Sequence, residues 1–149
     1  MKRAFTMIEI IFVIVVLGIL SSIAISKLAV TRDDAIIAKG RAQVAAIRNA
    51  ISLTRNQQML QGNSGWLTKL DNLSTATSND GDALFDSNGT LTILDYPLYS
   101  RDADGHWKKV ASNKYAFKVM NVDVNFTYTP STGNFNCVHT EEYCRALTE

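Results

Sequence analysis

Proline is scarce in this chain and absent from its first 96 residues; only Pro97 and Pro130 occur. Nothing of that kind stands in the way of a long helix at the N-terminal end. Only two histidines and two cysteines are present among 149 residues. That leaves little material for a His-rich metal site or a dense disulfide scaffold. Charge of one sign is lacking too: the net charge is +1, which makes no electrostatic case for nucleic acid or for an acidic substrate. Gly-x-Ser-x-Gly, His-Glu-x-x-His and phosphate-loop patterns are missing, so no enzyme class is indicated and no cofactor is expected.

What the sequence does have is a segregation of apolar residues. No charged residue falls between Ile10 and Ser26. With Phe5 to Glu9 this makes an apolar run of about 21 residues containing one carboxylate, Glu9. As a helix it would be about 30 Å long, the thickness of a bilayer's hydrocarbon core. Lys2 and Arg3 precede it and predict a cytoplasmic start, with the rest of the chain outside. The run is too long for an ordinary secretory signal, although Ser21-Ser22-Ile23-Ala24 resembles a cleavage site.

Helical periodicity continues beyond the run. Ile37, Val44, Ile47 and Ile51 form an apolar stripe, with Ala38, Ala45 and Leu53 beside it. Arg41, Arg48 and Arg55 recur every seventh residue on another face, read as solvated or as facing acidic groups of neighbouring subunits. Gly62-Asn63-Ser64-Gly65 is expected to end the helix. Asn72 to Asn79 reads as loop. Asp80-Gly81-Asp82 and Asn88-Gly89 read as turns, and Leu91 to Leu94 as a short strand. Strict alternation in Tyr115–Val119 and Val122–Tyr128 predicts two strands, and Phe135 to Val138 a third. The predicted class is α+β: a long N-terminal transmembrane and amphipathic helix packed on a small antiparallel β-sheet head.

The N-terminus reads Lys2-Arg3-Ala4-Phe5-Thr6-Met7-Ile8-Glu9-Ile10. This resembles the type IV pilin and type II secretion pseudopilin family. The resemblance implies removal of a short basic leader by a prepilin peptidase between Ala4 and Phe5, and N-methylation of Phe5. It implies an assembly role for Glu9 as the fifth residue of the mature chain. Ala4 stands where the family usually has Gly, and Ser26 stands where many classical pilins have a proline. The expected parts are a leader at 1–4, a transmembrane and assembly helix at 5–28, an amphipathic half at 29–61, and an extracytoplasmic head at 62–149. The implied partners are other pilins or pseudopilins in a homo- or hetero-oligomeric filament, the prepilin peptidase, and an inner-membrane assembly platform with its ATPase. The implied location is the bacterial inner membrane, single-pass, with the head in the periplasm or cell exterior. A pilin for adhesion, motility or DNA uptake is the alternative in the same class. A single-pass anchored periplasmic enzyme or binding module is the alternative in another.

Independently of that resemblance, a carboxylate inside an apolar run is costly unless paired. After the cleavage that the resemblance implies, an amine at Phe5 of one subunit and Glu9 of another would neutralise each other. Cys137 and Cys144 suggest one disulfide in an oxidising compartment; with His139 they also have metal-ligand chemistry, but no common zinc spacing. Asp102-Ala103-Asp104-Gly105 and Asp80-Gly81-Asp82 with Asp86 have calcium-binding chemistry without the full EF-hand spacing. Asn88-Gly89-Thr90 and Asn125-Phe126-Thr127 are glycosylation-type tripeptides, each with Asp two residues upstream.

Overall fold

The computed structural model of the chain describes residues 6–149, with the side chains of that range except 23–31. Helix α1 runs Met7–Leu60. The chain divides into two compact units, Met1–Ala35 and Ile36–Glu149. The second unit holds strands β1 (Ala83–Leu84), β2 (Leu98–Tyr99), β3 (Trp107–Ala111), β4 (Lys114–Val119), β5 (Val122–Thr129) and β6 (Asn134–Cys137), and a short helix α2 (Cys144–Thr148). Strands β3 to β6 form an antiparallel meander in sequence order, and β1 pairs with β2 separately.

The transmembrane part of the expected fold is corrected here. Helix and antiparallel sheet are both present, but among the described residues no helix is long and apolar enough to cross a membrane. From Met7 to Ser22 the helix covers about 24 Å, short of the roughly 30 Å hydrocarbon layer. Glu9, Gly18, Ser21 and Ser22 dilute even that stretch, and Lys27 and Arg32 follow. The expected single-pass inner-membrane location falls with the span.

Alternation sets one face of the large sheet. Trp107 pairs with Phe117, and Phe117 with Val124. Tyr115 pairs with Phe126, and Phe126 with Cys137. Directly opposed residues share a face, so these rows make one apolar surface. Trp107 lies 5.1 Å from Phe117 and 5.2 Å from Phe126, ring centre to ring centre, and Phe126 stacks on Phe135 at 5.2 Å. Residues 36–60 of α1 cover this surface with buried Gly40, Val44, Ile47, Ala50, Ile51 and Thr54. Of the expected stripe, Ile37 is half-buried, while Ala38, Ala45 and Leu53 are exposed.

Helix and sheet approach closely at Gly40. A Cβ there would lie 2.5 Å from Phe117 Cε1 and 2.6 Å from Leu147 Cδ2. The β4–β5 hairpin turns at Met120-Asn121, whose φ angles are 48° and 63°, the left-handed pair of a tight hairpin. Leu91–Leu94 is not a strand; only a bridge from Ser87 to Thr92 forms there.

Candidate functional site

The start of α1 carries the assembly residues expected from the sequence. Thr6 opens the helix: the Glu9 N–H donates to Thr6 O at 3.1 Å and to Thr6 Oγ1 at 3.3 Å. Thr-x-x-Glu is capping-box spacing, so Glu9 also occupies a helix-starting position. Its side chain is exposed, and among the described residues it makes no ion pair. The large apolar side chains on either side of it in sequence are exposed all round the helix, from Ile8 at 77% and Phe12 at 69% to Leu20 at 58%. Ala4 and Phe5, the expected cleavage and methylation positions, lie outside the described residues.

The head is held by contacts that arise from its own topology. Cys137 ends β6, Cys144 begins α2, and the two are joined by a disulfide with Cα atoms 5.9 Å apart. Both sulfurs are therefore unavailable as thiolate ligands to any metal shared with His139. The three arginines spaced seven apart, Arg41, Arg48 and Arg55, have partners within the head. Arg41 donates to the Ala146 carbonyl from Nε at 3.0 Å and Nη2 at 2.8 Å. Arg48 donates to the Phe135 carbonyl at 3.0 Å and to Asn136 Oδ1 at 2.7 Å. Arg55 lies 3.8 Å over the Trp66 ring. Helix periodicity places them on a common face; Arg41 fastens α2, Arg48 fastens β6, and Arg55 holds the loop at Trp66.

The two calcium candidates are engaged by protein groups. Asp102 accepts from Lys108 Nζ at 3.1 Å and from Lys118 Nζ at a very short distance. These two ammonium groups, Lys118 first, hold its carboxyl below the usual range. Asp104 accepts the Asn121 N–H at 2.8 Å and so braces the β4–β5 turn. A cation at Asp102 would have to displace two ammonium groups. Among the described residues, no three acidic, histidine or cysteine side chains gather to hold a metal ion.

One buried polar cluster has no counterpart in the sequence reading. Lys109 stands opposite Tyr115 on the inner face of the sheet, where an ammonium group needs an anion. Asp71 supplies it at 2.9 Å, with side-chain exposures of 6% for Lys109 and 0% for Asp71. Lys109 Nζ also donates to Thr75 O at 2.9 Å, and the Leu73 N–H to Asp71 Oδ1 at 3.0 Å. The Tyr115 hydroxyl donates a short bond to Asp71 Oδ2. Burial, reinforced by the Asp71 carboxylate, pushes the Tyr115 phenol well above its ordinary range. Burial also pushes Tyr128 up to about 12; its hydroxyl donates to Leu67 O at 2.8 Å. Both phenols stay protonated and act as donors that tie residues 67–75 to the sheet.

A groove of about 470 Å³ runs beside β6, lined by Arg48, Trp66, Asn134, Asn136 and His139 among others. Its arginine is already committed to backbone and amide acceptors, and Trp66 lies against Gly133 so closely that a Cβ there would meet the ring at 2.2 Å. The groove's lining thus helps to hold the β5–β6 turn in place.

Compared with models of known protein families, with curated proteins and with solved structures, the chain finds no match.

Proposed function

We propose that this chain is a structural subunit of a filament of the type II secretion pseudopilus kind. It assembles through its N-terminal helix after a prepilin peptidase removes the leader between Ala4 and Phe5. The observation that carries this reading is the exposure of the large apolar side chains all round α1 from Met7 to Leu20. A helix apolar on every side is stable only where other apolar surfaces enclose it. Copies of the same helix, packed side by side, provide that enclosure. Glu9 is the only charge in this segment. Once enclosed it requires a cation, and the amine created at Phe5 of a neighbouring copy is the one the sequence offers.

The head supports the reading differently. Its aromatic core, its buried ion pair and its disulfide are all supplied by residues 36–149, so its fold does not draw on the apolar start of α1. Cross-linking of the full chain in cells that process its leader is expected to give a ladder of multimers. Val13→Lys, which changes no residue of the head's buried core, should reduce that ladder about tenfold or more, because an enclosed unpaired ammonium costs several kcal/mol. An unchanged ladder, or a parent protein that stays monomeric, contradicts the proposal.

A further inference from the structure

The two glycosylation-type tripeptides occupy very different settings. Asn125 and Thr127 lie inside β5, between β4 and β6. Asn125 pairs with Ala116, and Thr127 with Lys114 on one side and Asn136 on the other. The Asn125 N–H donates to Glu141 Oε2 at 3.2 Å, and the upstream Asp123 pairs with Lys108 at 2.6 Å. Presenting this segment to an enzyme would require both ladders to open.

Asn88 sits instead in a tight loop closed by the Ser87–Thr92 bridge and by the Asn88 N–H donating to Leu91 O at 3.2 Å. Gly89 and Thr90 are exposed, and Gly89 has a φ of 91°. The Asn88 side-chain oxygen Oδ1 accepts the Thr90 N–H at 3.0 Å and the Leu91 N–H at 2.8 Å, an Asx turn. Two donors on the amide oxygen draw electron density from the nitrogen and make an Nδ2 proton easier to remove. Nδ2 itself donates to nothing among the described residues. The upstream Asp86 makes no ion pair among them, and its Oδ1 is buried without a hydrogen-bond partner. An unsatisfied buried oxygen lowers the cost of opening this loop. The Cys137–Cys144 disulfide fits an oxidising compartment, the same setting in which Asn-x-Thr tripeptides on surface loops are glycosylated.

We propose that Asn88 is an acceptor for N-linked glycosylation and that Asn125, despite its matching motif, is not. The donor is a glycan carried on a diphospho-lipid. Nδ2 of Asn88 attacks C1 of the first sugar, and the C1–O bond to phosphate breaks. The diphospho-lipid leaves with the bonding electrons, and Nδ2 gives up one proton. The proposal is independent of filament assembly.

The test is intact-mass and glycopeptide mass spectrometry of the full chain from bacteria that carry an oligosaccharide transferase and its lipid-linked donor. A known acceptor protein in the same cells serves as control. One glycan is expected, on the peptide containing Asn88. Asn88→Gln and Thr90→Ala should each remove it, and Asn125→Gln should retain it. Disulfide formation in each variant checks that the head has folded. A glycan on Asn125 alone, or a bare chain beside a modified control, overturns the assignment.

Discussion

Lys109 Nζ and Asp71 Oδ1 meet at 2.9 Å across the inner face of the head, joining a strand to a loop residue 38 positions away in sequence. The pair fixes residues 71–75 beneath β3. Removing one partner leaves the other charged in an apolar setting. Lys109→Met is therefore expected to destabilise the head by about 3–5 kcal/mol. Tyr115→Phe removes only one donor from Asp71 and should cost about 1–3 kcal/mol. Urea unfolding followed by tryptophan fluorescence measures both, since Trp107 lies in the same core. Equal losses for the two variants would contradict the assigned roles.

Gly40 provides a second test. In an exposed helix, Gly→Ala is favourable by about 1 kcal/mol. Here the added carbon would stand 2.5 Å from Phe117 and 2.6 Å from Leu147, and overpacking of this kind costs about 1–3 kcal/mol. Gly40→Ala should therefore lower the head's melting temperature. A raised melting temperature would show that helix and sheet are less closely packed than described.

His106 makes stability depend on pH. Burial, followed by the charges of Lys39 and Arg101, lowers its pKa below the ordinary 6.5. The folded head thus binds fewer protons at this site than the unfolded chain. The associated stability is present above 6.5 and is lost as pH falls through the lower folded value. His106→Gln should flatten the loss of stability between neutral and mildly acidic pH. Asp102, also lowered, gives a separate decline below the ordinary carboxylate range of 3.8. A variant with an unchanged pH profile down to that range would remove His106 from the account.

Much of the head was legible in the sequence, and the reasons are local. β5 alternates because it buries one face, β4 keeps the same apolar rhythm in sequence although Ala116 on its other face is buried too, and β6 follows a plain turn at Pro130 to Gly133. β3 was missed because Lys109 occupies an inward position and breaks the apolar alternation of Trp107–Ala111. Its partner, Asp71, is too distant in sequence to give any pattern. β1 and β2 span two residues each, too short for a period to appear. At the N-terminus, hydrophobicity alone suggested a membrane span, but the described apolar stretch is too short and too interrupted for one. The Thr6-x-x-Glu9 spacing was available as a helix-start signal. It places the Glu9 N–H on Thr6 at the start of the helix, a position that the apolar run had obscured.

Glu9 is where the central claim is most exposed, because capping and charge pairing predict different outcomes there. A capping box accepts Gln as well as Glu at that position, whereas an amine on a neighbouring subunit requires the negative charge. The direct measurement is the yield of cross-linked multimer per unit of processed subunit for the parent, Glu9→Gln, Glu9→Asp and Glu9→Ala. Charge pairing predicts that Glu9→Gln falls nearly as far as Glu9→Ala, by about tenfold or more, while Glu9→Asp keeps part of the yield and all three retain a folded, disulfide-bonded head. Assembly of Glu9→Gln at the parent's level would contradict charge-paired assembly through this helix.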